Sequence, residues 1–366
     1  MLVELKWLYV RNFRNLKELE IDFSPQMNEI IGLNAQGKTS ILEAVYLAMT
    51  GSSFRTHIPN DLIRHGEAGF FIEIGFEKQG LTHEIQFSFD GLKKRIFLNK
   101  RLCESQIALI GQLLGVACTP EVQNLVKGAP LVRRHFIDLQ IAQIDPLYVH
   151  HLSRYKRALK QRNTLLKEKT FRTIDAWEVE LANSASYITK KRSEKVEELS
   201  FFVEKFFSEL SGNRDKMHLT YKTKAPYKES LDTLSAYFEK ELRSKRAQEA
   251  ILGTTLVGPH RDDIAIFLKD KLASDFGSEG EMRLVSFALK LAEWHALESH
   301  AQEKPLMMID DFGAFLDSAR RKYLFGLSAK LGQVFLSSHA SQKESLSQDT
   351  HLKTFCIEAG NIHAYA

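Results

Sequence analysis

The stretch Gly32-Leu33-Asn34-Ala35-Gln36-Gly37-Lys38-Thr39 decides the fold, because it fills every fixed position of the phosphate-loop pattern G-x-x-x-x-G-K-[ST]. The apolar pair Ile30-Ile31 precedes it as the end of a strand, and the run from Ser40 to Ala48 follows it as a helix. In such a loop the backbone N–H groups converge on phosphate oxygens, and the positive end of the helix dipole points at the same anion. The stretch therefore predicts a nucleoside triphosphate site in an α/β fold.

Each residue type in this loop has a predicted task. Lys38 is expected to reach the β- and γ-phosphates, and the hydroxyl of Thr39 is expected to ligate Mg²⁺. The predicted nucleotide-binding residues are the whole loop and the residue after it: Gly32, Leu33, Asn34, Ala35, Gln36, Gly37, Lys38, Thr39 and Ser40.

A second predicted strand, Leu306-Met307-Met308-Ile309, ends in two acids, as a Walker B strand does. Asp310 is the predicted Mg²⁺ ligand, and Asp311 is the predicted base that orients or activates water. Two aspartates after an apolar strand also occur at ordinary turns. Their presence in the same chain as a complete phosphate loop favours the catalytic interpretation, with Lys38 and Asp311 as the catalytic pair.

Length and composition limit the remaining possibilities. The chain has 366 residues, 44% hydrophobic content and a net charge of +4, which permits a polyanionic partner without requiring one. Its three cysteines, Cys103, Cys118 and Cys356, lack metal-ligand spacing and fit a reducing compartment. No stretch has the apolar length of a signal peptide core or a membrane span, so a cytoplasmic protein without membrane contact is expected.

The pattern along the chain changes twice. Alternating runs such as Phe70 to Phe76 predict antiparallel strands near the N-terminus, with a hairpin at Asp90-Gly91. From about Asp145 to Glu249 apolar residues recur at helical spacing, which predicts a long helix from Tyr148 to Leu166 packed on a second helix from Ala176 to Leu199. Strand patterns return after Gly253. We therefore predict an α/β unit (residues 1–120 and 253–366) divided by a mainly helical insert (121–252).

A third motif lies between the loop and the acidic strand. Ser278-Glu279-Gly280 precedes an amphipathic helix, where the Ser278 hydroxyl and the Gly280 amide are suited to an anion. Ser278 with Glu281 also satisfies the capping-box pattern, and the two interpretations can coexist.

The order of these motifs resembles that of the ATP-binding-cassette ATPase head, in which the signature serine of one subunit completes the nucleotide site of another. Four further blocks are similar to the RecF family in particular: 8–16 (LYVRNFRNL), 34–44 (NAQGKTSILEA), 125–138 (LVKGAPLVRRHFID) and 258–263 (GPHRDD). The resemblance implies a cassette-type head, of mixed sheet with an antiparallel subdomain, carrying an inserted helical lobe.

The resemblance also implies a function. It implies an ATP-dependent DNA-binding protein of recombinational repair and replication-fork recovery, with ATP and Mg²⁺ as cofactors and weak, DNA-stimulated ATP hydrolysis used as a switch. It implies an ATP-dependent homodimer that binds duplex DNA near single-strand gaps, with RecR and RecO as partners, to promote loading of RecA. Ser278 and Gly280 would then bind the nucleotide held by the partner subunit.

The chain departs from the family pattern at several positions. Glu281 and Met282 replace the two glutamines of S-x-G-Q-Q, so a negative charge can lie near the partner's phosphates. The block 310–317 (DDFGAFLD) keeps its last Leu-Asp but lacks a serine. His339 either corresponds roughly to the position of the cassette switch histidine or is an ordinary surface residue. Gln123 is a weak match to the nucleotide-sensing glutamine.

DNA contact is predicted from charge. Positions 154 to 172 contain eight basic residues and a single acid, Glu168. This excess of positive charge indicates either a track for phosphates or a solvated helix face. The predicted DNA-binding residues are Arg154, Lys156, Arg157, Lys160, Arg162 and Lys167. Lys93-Lys94-Arg95 is a second candidate, and Arg133-Arg134 contact either DNA or the insert itself.

Three other classes fit less well. A structural DNA-tethering head of the SMC kind would need an insert of several hundred heptad residues. A transporter ATPase would carry a complete L-S-G-G-Q and no basic helix, and a small-molecule kinase leaves 258–263 unexplained.

Overall fold

The computed structural model of the chain describes residues 3–212, 215–311, 326–327, 330–341 and 352–365. The chain divides into two compact units: Met1–Gln123 with Glu279–Ala366, and Asn124–Ser278. The predicted return to the first unit at residue 253 differs from this division. The second unit continues to Ser278 because a strand that follows residue 252 pairs with a strand that precedes it.

The first unit contains a six-stranded antiparallel sheet. Its strands in spatial order are β2 (Leu16–Asp22), β1 (Val3–Phe13), β4 (Phe70–Lys78), β5 (Leu81–Phe89), β6 (Lys94–Leu98) and β7 (Arg101–Leu102). Alternating apolar residues of β1 and β4 are buried, as the period-two pattern predicts. The predicted hairpin joins β5 to β6, where Asp90 accepts hydrogen bonds from the Leu92 and Lys93 amides.

The second sheet of this unit is mostly parallel and carries the sequence motifs. Its strands in spatial order are β15 (Asn361–Tyr365), β14 (Leu352–Glu358), β3 (Met27–Ile31), β13 (Val334–Ser338), β12 (Leu306–Ile309) and β8 (Gly115–Cys118). Among the described strands of this sheet, β14 and β15 form the antiparallel pair and the other neighbours are parallel. Helix α1 (Lys38–Thr50) follows β3, and α8 (Glu279–Ala301) precedes β12. Because β3 and β12 run parallel with one strand between them, the phosphate loop and the acidic pair lie at the same edge.

The second unit is helical with one small sheet. Its helices are α2 (Asn124–Lys127), α3 (Pro130–Ala142), α4 (Pro146–Glu168), α5 (Ile174–Ser211), α6 (Leu231–Leu252) and α7 (Ala273–Phe276). The antiparallel strands are β9 (Met217–Lys222), β10 (Asp263–Leu268) and β11 (Lys271–Leu272), with β10 in the centre.

The two predicted helices of the insert are α4 and α5, which pack on each other as expected. In α4 the side chains of Tyr148, Tyr155 and Leu166 are buried, whereas Leu152 and Leu159 are only half-buried. Among the described helices none is both long enough and apolar enough to cross a membrane.

Candidate nucleotide site

The phosphate loop connects β3 to α1 through two glycines that no other residue could replace without strain. A Cβ on Gly32 would lie 2.5 Å from the carbonyl oxygen of Ile357, and Gly37 has a φ of 116°. Helix α1 begins directly at Lys38, so its first N–H groups open onto the loop. The loop therefore has the backbone form that the sequence predicts.

Lys38 is held over the loop by backbone oxygens. Its Nζ donates hydrogen bonds to the carbonyls of Gly32 at 2.6 Å and Leu33 at 2.8 Å. Burial lowers the pKa of Lys38 below its ordinary value, and the nearby carboxylates of Asp310 and Asp311 oppose this shift. The cation is thus positioned at the loop in a site that favours an anionic ligand.

Thr39 and Asp310 meet across the sheet. The Thr39 hydroxyl donates to the two carboxylate oxygens of Asp310 at 3.0 and 2.8 Å, and the Ser337 hydroxyl donates to Asp310 Oδ1 at 2.5 Å. Burial raises the pKa of the Asp310 carboxyl, while these hydroxyl bonds act in the opposite direction. A hydroxyl beside a buried carboxylate is an oxygen pair of the kind that Mg²⁺ uses together with nucleotide phosphates, so these residues fit that ion.

Asp311 lies at the mouth of the same site in a left-handed backbone conformation, with φ 53°. Its amide donates to the Ser337 hydroxyl at 2.8 Å. His339 Nε2 lies 3.8 Å from Asp311 Oδ1, and both side chains are partly exposed. Ser337, between the two aspartates, therefore fixes both of them, and the histidine that the sequence placed near a switch position contacts the candidate base.

A cavity of about 970 Å³ unites these residues. Residues from seven parts of the first unit line it, including Lys38, Thr39, Asp310, Asp311 and Ser337. The segment after β8 contributes Pro120 and Glu121 to the lining, and Glu121 acts with burial to raise the pKa of Asp310. Gln123, the predicted sensor, follows in the same segment but is not among the described residues that line the cavity.

Sequence reasoning missed one residue that supports the loop, Asn15, and did not show how Gln36 is anchored. Asn15 donates to the Ala35 carbonyl at 3.1 Å and accepts from the Ser40 hydroxyl at 2.9 Å, so it fixes both ends of the loop. Gln36 is held by the backbone amides of Ala359 and Gly360. Asn15 lies in the block 8–16, and the likeness of this block to the family was the available signal.

A buried carboxylate, Glu43, pairs with two arginines that line the cavity, Arg14 and Arg55. Glu43, which is fully buried, accepts two hydrogen bonds from Arg14 at 2.9 and 2.7 Å, and Arg55 lies 3.5 Å away. Arg14, Arg55, Arg64 and His65 also line the cavity. Glu43 neutralises part of the charge of Arg14 and Arg55, so the arginines add a modest anion-attracting surface beyond the phosphate loop, and the sequence alone did not connect them to it.

The comparisons with known proteins agree with this geometry. The family model described as RecF/RecN/SMC N terminal domain matches residues 4–362. The DNA replication and repair protein RecF of Protochlamydia amoebophila is 42% identical over 335 residues, which cover 91% of this chain and 93% of that protein. The chain belongs to the RecF family. The expected family and the cassette-type fold are therefore confirmed.

Solved structures give the same assignment. A structure described as the recombination mediator protein RecF with ATP in the RecFOR pathway has 30% sequence identity and a TM-score of 0.91, and the match covers 100% of this chain and 98% of that one. The Smc head domain of Pyrococcus furiosus, with 17% identity and a TM-score of 0.58, covers 100% and 96% and shares the fold alone. The SMC alternative is thus only a distant relation.

The structure contradicts the predicted DNA contact for one residue of the basic helix, Arg162. Arg162 is fully buried and forms ion pairs with Glu178 at 2.9 Å and Glu249 at 2.7 Å. Its Nη1 also donates to the Thr255 hydroxyl. Arg162 therefore cannot contact DNA, and its assignment was wrong because the charge pattern does not show which face of α4 packs inward.

The other predicted DNA residues lie on the surface of α4. Arg154 is exposed but pairs with Glu180 on α5. The remaining four are exposed, and within the part of the chain that the structure describes they form no ion pair: Lys156, Arg157, Lys160 and Lys167. In the second candidate region, Arg95 pairs with Asp90 at 3.2 Å, and Lys93 and Lys94 are exposed.

Arg133 and Arg134 contact the insert itself, one of the two alternatives. Arg133 donates to both carboxylate oxygens of Asp263 at 2.8 Å, and Arg134 donates to the Asp262 carbonyl at 2.7 Å. The family block 125–138 thus binds the family block 258–263.

Ser278 and Gly280 are both exposed at the start of α8, with Ser278 directly before its first residue. Their predicted action on a partner's nucleotide stays a prediction. The Phe315-Leu316-Asp317 part of the family pattern lies outside the described residues.

Proposed function

We propose that this member of the RecF family is an ATP-dependent DNA-binding protein of recombinational repair and replication-fork recovery. The main observation behind the proposal is that Lys38, Thr39 and Asp310 lie together in one cavity at the edge of the parallel sheet. Family membership supports the same function, since the relatives are named for DNA replication and repair and for recombination mediation.

ATP is the proposed ligand of the cavity. The loop amides and Lys38 would hold its phosphates, and the cations Arg14, Arg55 and Arg64 would add attraction for the anion. Thr39 and Asp310 would hold Mg²⁺, which neutralises phosphate charge when it is bound. A RecF structure described with ATP supports this choice of nucleotide.

Asp311 is the proposed base for slow ATP hydrolysis. Its side chain is partly exposed. His339 lies next to it and can hydrogen-bond to it or to water. An aspartate is shorter than the glutamate of fast cassette ATPases, so water would be less well placed and turnover low. We infer that hydrolysis resets a switch and that DNA stimulates it weakly.

DNA binding would follow dimerisation. ATP held by one subunit would be contacted by Ser278 and Gly280 of another, and the dimer would present the exposed cations of two α4 helices to duplex DNA near single-strand gaps. RecR and RecO would then act with the dimer to promote RecA loading in the cytoplasm. The description of a similar RecF as a mediator in the RecFOR pathway supports this part of the proposal.

DNA binding in two nucleotide states tests the proposal. Fluorescence anisotropy would compare a gapped and a blunt duplex of equal length with ATP, ADP or no nucleotide, in the presence of Mg²⁺. We expect binding that requires ATP and is tighter on the gapped duplex. Equal binding in all nucleotide states would contradict an ATP-dependent function.

A further inference from the structure

The second unit contains a cavity of about 620 Å³ that the nucleotide site does not use. It lies between the end of β9, one face of α6 and the segment that includes Gly258, Arg261, Asp262 and Asp263. This segment belongs to the GPHRDD block, which distinguishes the RecF family from other cassette proteins but takes no part in the ATP site. The cavity has the size of a small-ligand pocket.

Most of the block 258–263 has a structural task inside the unit. A Cβ on Gly258 would lie 2.3 Å from the Tyr155 hydroxyl, so only glycine fits there. The Asp262 carboxylate accepts a hydrogen bond from Tyr221 at 2.5 Å, and Asp263 is held by Arg133. Arg261 differs from these residues because its side chain is exposed at the cavity.

The cavity carries an excess of positive charge. Lys222, Lys224 and Arg261 line it, are exposed, and pair with no carboxylate in the ranges that the structure describes. The lining also holds three carboxylates: Arg133 neutralises Asp263, Lys245 lies 3.5 Å from Glu241, and the buried Asp262 accepts a hydrogen bond from the Tyr221 hydroxyl. The lining thus has four cations (Lys222, Lys224, Lys245 and Arg261) against three carboxylates, and this positive excess favours an anionic ligand.

Aromatic and apolar side chains form the rest of the wall. Tyr237 is half-buried, and its hydroxyl donates to the Lys224 carbonyl at 3.2 Å, which fixes the ring beside this lysine. Phe238 and Val257 are buried behind it, and Leu256 is half-buried. A fixed tyrosine ring next to unpaired cations is the combination by which proteins hold single-stranded nucleic acid, with the base on the ring and the phosphate on the cations.

We propose that this cavity holds one unpaired nucleotide of single-stranded DNA, with its base against Tyr237 and its phosphate near Lys224 and Arg261. The proposal rests on the proposed function, because it supplies the single-strand half of a gap preference. The exposed cations of α4 would bind the phosphates of duplex DNA, and this contact does not need an unstacked base. The cavity would therefore make the protein distinguish a gapped duplex from a continuous one.

Photocrosslinking and affinity measurements test this cavity. A gapped duplex would carry 5-iodouracil in its single-stranded part, and a crosslink to Tyr237 is expected by mass spectrometry in the presence of ATP. Tyr237→Leu, which keeps an apolar side chain, should lower affinity for gapped DNA roughly tenfold and leave blunt-duplex affinity unchanged. Tyr237→Phe should retain most of the affinity, since it keeps the ring and loses only the hydrogen bond to the Lys224 carbonyl. Arg261→Gln with Lys224→Gln should lower gapped-DNA affinity similarly, whereas Lys228→Gln, at an exposed lysine outside the cavity, should not.

The outcomes separate this proposal from the proposed function. If wild-type protein shows no ATP-dependent DNA binding at all, the proposed function fails. If the wild type prefers gapped DNA but Tyr237→Leu and the double glutamine variant keep that preference, only the cavity assignment is overturned. A crosslink from free 5-iodo-dUMP to Tyr237 without one from gapped DNA would assign the cavity to a free nucleotide and also overturn the proposal.

Discussion

The hydroxyl of Thr39 lies 2.8 Å from a carboxylate oxygen of Asp310, although 271 residues separate the two positions in the chain. Thr39 is at the start of a helix after β3, and Asp310 directly follows β12. The parallel order β3-β13-β12 brings the two strand ends to one edge, and Ser337 at β13 bridges to Asp310. One topological arrangement thus brings the phosphate loop to the acid that is proposed to hold Mg²⁺.

Lys38→Met should remove ATP binding. The Nζ is the loop's only side-chain cation and is already aimed at the loop carbonyls, so its loss leaves the phosphate charge without this partner. We expect affinity for a fluorescent ATP analogue to fall by roughly a hundredfold or more. Lys17→Met, at an exposed lysine of β2, is the matched control and should bind like wild type. Equal affinity of Lys38→Met and wild type would refute the site.

Asp311→Asn should separate binding from hydrolysis. An amide of the same shape still fits beside Ser337 and His339 but no longer accepts a proton from water, so the ATP-bound dimer should accumulate. We expect turnover to fall by about a hundredfold with ATP affinity near normal. Asp310→Asn should differ from it by weakening Mg²⁺-dependent ATP binding. Wild-type turnover in Asp311→Asn would show that another residue is the base.

Local motifs predicted which residues meet at this edge of the sheet, because the conformation of each motif is set by its own short segment. The phosphate loop and the two aspartates are short segments whose conformation follows from glycines and strand ends, so Lys38, Thr39 and Asp310 could be placed by sequence alone. Asn15 and Glu43 could not, because their roles depend on contacts with residues far along the chain. The same limit explains the boundary at residue 252, since pairing between β9 and β10 is not visible in either strand by itself.

Reversal of Lys156, Lys160 and Lys167 to glutamate should weaken duplex binding uniformly across sequences. These exposed lysines share one face of α4, and each true phosphate contact adds about one unit to the salt dependence of binding. We expect the slope of log affinity against log salt to flatten by about three units, with ATP affinity unchanged. The control reverses Lys216, Lys228 and Lys240, which changes net charge equally. If both triple variants lose affinity alike, net charge and not this helix face governs binding.

Arg162→Met should destabilise the second unit without altering DNA contact. Loss of the guanidinium leaves Glu249 buried without its cation, whereas Glu178 keeps Arg246 at 2.5 Å. Breaking a buried ion pair costs about 3–5 kcal/mol, so the free energy of unfolding in urea should fall by this order. Arg157→Met, at an exposed arginine of the same helix, should unfold like wild type. Folded Arg162→Met that binds DNA with a reduced salt slope would contradict the burial-based correction.

Charge counting failed at Arg162 for a physical reason. A run of eight cations with one acid indicates a positive helix, but the acids that neutralise Arg154 and Arg162 lie on α5 and α6. Only packing reveals that Glu178 and Glu249 surround Arg162 from two other helices. The surface charge of α4 is consequently smaller than the sequence indicates, and four of the six predicted residues remain available.

Ser278→Arg should eliminate ATP-induced dimers while leaving ATP binding to the monomer near normal. Ser278 and Gly280 are exposed at the start of α8, where the hydroxyl and the helix amides can meet a phosphate held by Lys38 of a partner subunit. A bulky arginine would prevent that approach, and Ser278 is not among the residues that line the nucleotide cavity. Sedimentation with ATP, ADP and no nucleotide would measure the dimer, and we expect wild-type dimers only with ATP.

Glu281→Gln provides the finer test of the same contact. Glu279 and Glu281 are acidic residues in the first turn of α8, and a carboxylate there opposes a phosphate brought to the helix start. Removing the charge at position 281 should therefore tighten the ATP dimer by several-fold, with the largest effect at low salt, because screening weakens the repulsion. A dimer of equal strength in ATP, ADP and no nucleotide, or a Ser278→Arg protein that dimerises like wild type, would show that nucleotide does not bridge the subunits. In that case the RecF-type fold and the ATP cavity would stand, but DNA binding would need a switch other than dimerisation around ATP.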